Sequence, residues 1–195
     1  LALIVTLCST LNAQVKSGTS TQSKKYEYFW INGGTGAGGV VSTNIINSGA
    51  VIPFYMEFLL QDRHKRIGLG ISHELYLTPE NLGKVILGNS ANTEKIYLAY
   101  EWMLIPNFPI NLGVCGNVGG FLVGNDIEER NKRQGDTTYI PNYSYFANVG
   151  LVAELGIKPV FFFVKPYIEY KSYGGFHKEL LACVTFGLKF KLDAK

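Results

Sequence analysis

Between Glu179 and Leu192 the chain reads with a period of two. Leu180, Ala182, Val184, Phe186, Leu188, Phe190 and Leu192 share one register, and Glu179, Thr185, Gly187, Lys189 and Lys191 fall on the other. Successive side chains of a β-strand point to opposite faces, so this period builds a strand with one apolar and one polar side, which no helix does. The pattern recurs along the chain. Ile52, Phe54, Met56, Phe58 and Leu60 oppose Tyr55, Glu57 and Gln61, while Ile67, Leu69, Ile71, Leu75 and Leu77 oppose Gly68, Gly70, Ser72, Glu74 and Tyr76. Ile96, Leu98, Tyr100, Trp102 and Leu104 oppose Lys95, Tyr97, Ala99 and Glu101, and Tyr145 through Ile157 oppose Asn148, Gly150, Glu154 and Gly156. Strands are expected at 27–38, 51–61, 66–77, 95–104, 109–123, 144–157, 160–172 and 179–192. The first of these, with Trp30, Asn32 and a run of glycines, does not commit to a face.

The connections take turns. The second, fourth and sixth are tight: Asp62-Arg63-His64-Lys65, Ile105-Pro106-Asn107-Phe108 and Lys158-Pro159. The others are longer and polar, the third covering Pro79 to Glu94 and the fifth Asn125 to Tyr143. An even number of strands joined in this way returns the chain to the end where it began and puts every long connection at the opposite end. The expected fold is all-β, an eight-stranded antiparallel up-and-down barrel.

Alternation does not say which face is inside, because a soluble barrel alternates too. Three features favour an apolar exterior, hence a transmembrane β-barrel. First, the polar face mixes Gly68, Gly70, Gly113, Gly119, Gly150, Gly156 and Gly187 with Tyr55, Tyr76, Tyr97 and Tyr167. An eight-stranded barrel has an interior just wide enough for side chains, and small beside large suits that space. Second, the apolar face carries Phe54, Tyr100, Trp102, Tyr145 and Tyr170, and such aromatics suit a bilayer interface. Third, the N-terminus, Leu1-Ala2-Leu3-Ile4-Val5-Thr6-Leu7-Cys8 and then Ser9 to Gln14, reads as a secretory signal over 1–13 with cleavage at Ala13/Gln14. It has no initiator Met or basic start and is read as truncated there. Bulky Leu7 argues against Cys8 as a lipoprotein cysteine, and the competing reading of this run is a buried strand. Residues 14–25 are a polar lead-in, and 26–195 the barrel.

With the apolar side outward, Glu57, Glu74, Glu101, Glu154 and Glu169 meet Lys95, Lys165, Lys171 and Lys189 inside. Buried charges must be paired, so a cross-strand ion network filling the lumen is expected. Cys115 and Cys183 are read as small interior residues, with a disulfide left open. The formal charge of +3 is too small for nucleic-acid binding, and no basic cluster has an aromatic platform beside it.

The terminal pattern, polar Thr185, then Gly187, Phe190 and Leu192, resembles the insertion signal of small outer-membrane β-barrel domain proteins of Gram-negative bacteria. Val164-Lys165-Pro166-Tyr167-Ile168-Glu169 resembles a penultimate-strand pattern in the same proteins. The chain departs from them in closing with Asp193-Ala194-Lys195 instead of an aromatic residue. The resemblance implies an outer-membrane location among outer-membrane lipids, assembly by the barrel assembly machinery, periplasmic termini and extracellular long loops. It selects no activity, cofactor or extracellular partner.

Candidate chemistry is sparse. In Ser72-His73-Glu74 neighbours point to opposite faces of a strand, so His73 cannot serve Ser72 as a base. His64 falls in a basic turn, and His177 is expected in the last loop with Lys178 and Glu179. The three histidines share no metal site. Gly33-Gly34-Thr35-Gly36-Ala37-Gly38-Gly39 lacks the ending of a phosphate loop and is read as a strand end or first loop. Asn142-Tyr143-Ser144 is a glycosylation triplet of the kind that arises by chance. The connection Asn125 to Tyr143, with Asp126, Glu128, Glu129 and Asp136 against Arg130, Lys132 and Arg133, is the natural place for recognition. The expected role is non-enzymatic, structural or loop-mediated, without cofactor or metal. The alternatives are a soluble lipocalin-like barrel for a small apolar ligand and an outer-membrane lipid-modifying enzyme.

Overall fold

The computed structural model describes residues 26–43, 49–77, 91–105, 110–123, 144–173 and 177–194. The signal and lead-in expected over 1–25, the connection at 125–143, the Pro106-Asn107-Phe108 turn and most of the third connection lie outside the described residues. Eight strands run in order: β1 (Tyr28–Thr43), β2 (Ala50–Asp62), β3 (Lys65–Leu77), β4 (Ala91–Ile105), β5 (Ile110–Val123), β6 (Ser144–Ile157), β7 (Val160–Tyr173) and β8 (His177–Asp193). Each pairs antiparallel with its neighbour in sequence, and β8 pairs back with β1, so the sheet closes into a barrel.

The stagger follows from the register. Stepping from partner to partner, Tyr28 leads through Gln61, Arg66, Glu101, Cys115, Gly150, Tyr167 and Cys183 to Gly38, ten residues further along β1. With a rise of about 3.3 Å per residue and about 4.8 Å between strands, that stagger tilts the strands by roughly 40°. Residues far apart in sequence therefore meet across the lumen at one height.

Two boundaries differ most from the sequence expectation. β1 continues to Thr43, so Gly33–Gly39 lies within a strand and is neither its end nor a loop. A Cβ on Gly34 would stand 2.4 Å from the Phe186 carbonyl oxygen, so β1 can lie against β8 only with glycine there. β4 begins at Ala91, where Ala91, Asn92 and Thr93 pair with Tyr76, Leu75 and Glu74 and take up residues assigned to the third connection. The two described tight turns hold Arg63 at φ 51° and a cis Lys158–Pro159 bond. Gln61 Nε2 donates to Arg63 O at 2.5 Å in the first of them.

Polarity is reversed relative to a water-soluble protein. Leu69, Ile96, Leu98, Val118, Val149, Leu151 and Ile168 all project outward and are exposed. Trp30, Leu59, Met103, Phe146 and Phe163 are buried in the lumen beside Glu57, Glu74, Glu101, Glu154, Lys171 and Lys189. No helix among the described residues is long and apolar enough to cross a membrane, a statement with no bearing on strands.

Candidate functional site

The lumen holds two ion clusters, stacked along the barrel axis. Toward the tight turns, alternation on β3, β7 and β8 delivers Arg66, Lys165 and Lys189, while β2, β4 and β6 deliver Glu57, Glu101 and Glu154. Arg66 Nη1 lies 2.9 Å from Glu101 Oε2, and Arg66 Nη2 lies 3.0 Å from Glu154 Oε2. Lys189 Nζ is 2.6 Å from both Glu101 Oε1 and Glu154 Oε1. Lys165 Nζ reaches Glu57 Oε2 at 2.6 Å and Glu101 Oε1 at 2.8 Å. Three cations meet three carboxylates, which is the balance a low-dielectric interior demands.

Toward the long connections, Lys95 donates to Glu74 and Glu169, and Lys171 donates to Glu74. This cluster has two lysines for three carboxylates, the third being Glu179. Hydroxyls do the remaining work: Tyr76 and Tyr173 donate to Glu179 Oε2 at 2.9 and 2.8 Å, and Thr93 donates to Glu74 Oε2 at 2.9 Å. Asn148 Nδ2 donates to Glu169 Oε2 at 3.1 Å, and Asn32 Nδ2 to Glu57 Oε2 at 2.9 Å in the other cluster. Aromatic faces cover the cations. The Arg66 guanidinium sits 3.8 Å from the Trp30 ring centroid, and Lys95 Nζ is 4.4 Å from that of Phe146.

Between the clusters lies a waist containing Tyr55, Ser72, Tyr97, Cys115, Asn117 and Tyr167. Its cavity is about 30 Å³, close to the share of one water molecule in the liquid. Cys115 and Cys183 are buried and unpaired.

All nine charged residues expected inside are buried there and joined in these clusters. Sequence reasoning missed Arg66, the only guanidinium in the lumen among the described residues, although it shares parity with Gly68 and Gly70 on the polar face of β3. It also missed the tyrosine hydroxyls: Tyr76 on β3 reaches Glu179 on β8 across the lumen, and Tyr173 reaches the same carboxylate across the β7–β8 pair. His177 and Lys178 were expected in the last loop, at the edge of a strand read as beginning at Glu179. Both instead belong to β8, which starts at His177, with Glu179 buried and Lys178 exposed. The loop ends earlier because Lys171, Ser172 and Tyr173 extend the pairing to Glu179, Lys178 and His177.

On the outer wall Phe54, Tyr100, Trp102 and Tyr145 are exposed, and Tyr170 is half-buried in the same outward register. Trp102 lies beside Lys65 at the tight-turn end, whereas Tyr145 and Tyr170 lie near the opposite rim. Of the terminal pattern, Thr185 and Gly187 face the lumen and Phe190 and Leu192 face out. Ser72 is buried inside, while His73 turns outward with Nδ1 2.5 Å from Glu94 Oε1. No described hydroxyl or thiol is hydrogen-bonded to His73. His64 is exposed in its turn. No group of three or more metal-ligating side chains occurs among the described residues.

No family model and no curated protein matches this sequence. Solved structures match its shape. The crystal structure of Neisserial surface protein A is 11% identical, covers 84% of this chain and 97% of its own, and superposes with a TM-score of 0.57. The crystal structure of the outer-membrane enzyme PagL is 10% identical, covers 82% of this chain and 99% of its own, with a TM-score of 0.52. At such identities the fold alone is shared: this chain has the closed eight-stranded barrel of those outer-membrane proteins.

Proposed function

We propose that this chain is a non-catalytic outer-membrane barrel, closed along its axis by its own ion pairs and acting structurally or through the connections at its long-loop end. The reversed polarity carries this reading. A lipocalin-like barrel would turn its apolar set inward around a ligand, whereas here that set forms the outer wall and the lumen is filled with charge. In water such a wall would leave an apolar patch far beyond what soluble monomers tolerate. In a bilayer every backbone group of a closed barrel is already satisfied. The interior space is too small for a drug-sized ligand, which needs roughly 300 Å³ or more.

The enzyme reading is weaker. A fold shared with an enzyme does not transfer its chemistry, and the outward His73–Glu94 pair has no nucleophile bonded to it among the described residues. The arrangement Thr185, Gly187, Phe190 and Leu192 supports assembly by the barrel machinery.

Tryptophan quenching tests the proposal. Trp30 is 1% exposed inside the barrel and Trp102 is 47% exposed outside it, so Trp30→Phe leaves a single outward reporter. In vesicles containing brominated lipid, strong quenching of Trp102 is expected. An unquenched Trp102 in protein that stays dissolved without detergent would overturn the reading and restore the soluble barrel. Lipid hydrolysis by purified protein, lost on His73→Ala, would restore the enzyme.

A further inference from the structure

Near the long-loop rim Glu94 on β4 projects outward from the wall and pairs with His73 on β3. Beside it runs a groove of about 430 Å³, lined on the outside by Glu94, Ile96, Gly120 and Leu122. Gly120 opens the groove. It stands between Ile96 on β4 and Tyr145 on β6, both outward-facing and exposed. A Cβ placed on it would meet only the Ser144 carbonyl oxygen, at 3.6 Å. Packing therefore does not require glycine there, unlike the inward-facing Gly34.

We propose that this groove binds one phospholipid with a primary-amine headgroup, its ammonium on Glu94 and an acyl chain across Gly120. The inference rests on the membrane reading above. The Glu94 side chain is 61% exposed, with Oε1 held by His73 and Oε2 without a hydrogen bond to any described residue. A carboxylate at the mouth of an apolar channel, level with the tyrosines of one rim, complements an ammonium above a hydrocarbon chain. A choline headgroup has no N–H to donate. A glycerol headgroup leaves the phosphate charge unbalanced and is repelled. His73 acts as a positioning residue that fixes the carboxylate.

Native mass spectrometry of the detergent-solubilised barrel tests this with three lipids of matched chains: phosphatidylethanolamine, phosphatidylcholine and phosphatidylglycerol. A one-to-one adduct is expected, favouring phosphatidylethanolamine by roughly threefold to fivefold, the size of a part-exposed charge pair. Gly120→Leu fills the groove and removes the adduct. Gly39→Leu, placed elsewhere on the outer wall where nothing lies within 4 Å of its Cβ, retains it. Glu94→Gln keeps the adduct and levels the preference for ethanolamine over choline. Equal adducts with all three lipids, or an ethanolamine adduct that survives Gly120→Leu, would overturn the site. Loss of Trp102 quenching would instead overturn the membrane reading on which it rests.

Discussion

Arg66 and Glu154 face each other across the lumen from β3 and β6, strands that do not touch, and their second contact spans 3.0 Å. They are 88 residues apart in sequence and are brought together by the stagger of the barrel. With Arg66 the cluster near the tight turns is neutral; without it, one carboxylate is in surplus. Arg66→Met is expected to cost about 3–5 kcal/mol, the usual effect of stranding a buried charge. Adding Glu154→Gln should restore much of that loss. Urea unfolding in vesicles measures both, and a double variant no better than the single one would sink the charge-balance account.

Glycine substitutions separate the two faces. A Cβ on Gly68 would fall 1.8 Å from the Phe58 carbonyl oxygen, whereas one on Gly39 meets nothing within 4 Å. Gly68→Ala should yield little or no folded barrel, seen as loss of the fast-migrating band on unheated gels. Gly39→Ala should stay within about 0.5 kcal/mol of the parent. Equal behaviour of the two would mean that β2 and β3 can separate at Gly68.

The cysteines report on closure of the lumen. Cys115 and Cys183 are 7% and 4% exposed. A membrane-impermeant maleimide should leave both unmodified in vesicles and label both in urea. Rapid labelling of Cys115 in the folded state would reveal a hydrated path through the waist.

Conductance tests the same closure directly. Planar bilayers containing the parent protein should show no steady current, because clusters at two heights must both open. Lys171→Met disturbs only the cluster near the long connections and should also remain closed. A steady current from the parent would refute a sealed lumen.

The terminal pattern invites a comparison between cells and vesicles. Phe190 is 41% exposed and lies between Ile31 and Val160, so it contributes modest packing. Phe190→Ala is expected to reduce assembled protein in cells several-fold while refolding from urea into vesicles stays nearly normal. Equal defects in both would assign the residue to packing and not to recognition.

Much of this was legible in the chain because period two survives in one dimension. The alternation of Ile96 to Leu104 against Lys95 to Glu101 already separates the wall from the lumen. β1 was illegible for a physical reason: its glycines lie on both faces, Gly34 and Gly36 because β8 crowds them, and Gly33 and Gly39 where a Cβ would meet only the Tyr55 carbonyl oxygen at 3.9 Å or nothing at all. Partners were beyond reach for another reason. Whether Lys171 meets Glu74 or Glu57 depends on how far the sheet shifts before it closes, and no local pattern records that shift. Arg66 was recoverable from parity, but its place beside a basic turn disguised it. The Gly120 groove had no signal, since a missing side chain on a strand reads as mere permissiveness.

Seven of the eight strand pairings join neighbours in sequence, and the eighth joins Tyr28 to Asp193 at the far ends of the described chain. At that seam Gly187 is obligatory, because a Cβ there would lie 2.1 Å from the Gly33 carbonyl oxygen. Without β8 in place against β1 the barrel stays open along its length. A sheet of these strands without the β1–β8 pairing has two unsatisfied edges and an apolar face. Pairing of β8 with β1 is thus the step that removes both edges at once, so the interval before that pairing is where such a sheet is exposed.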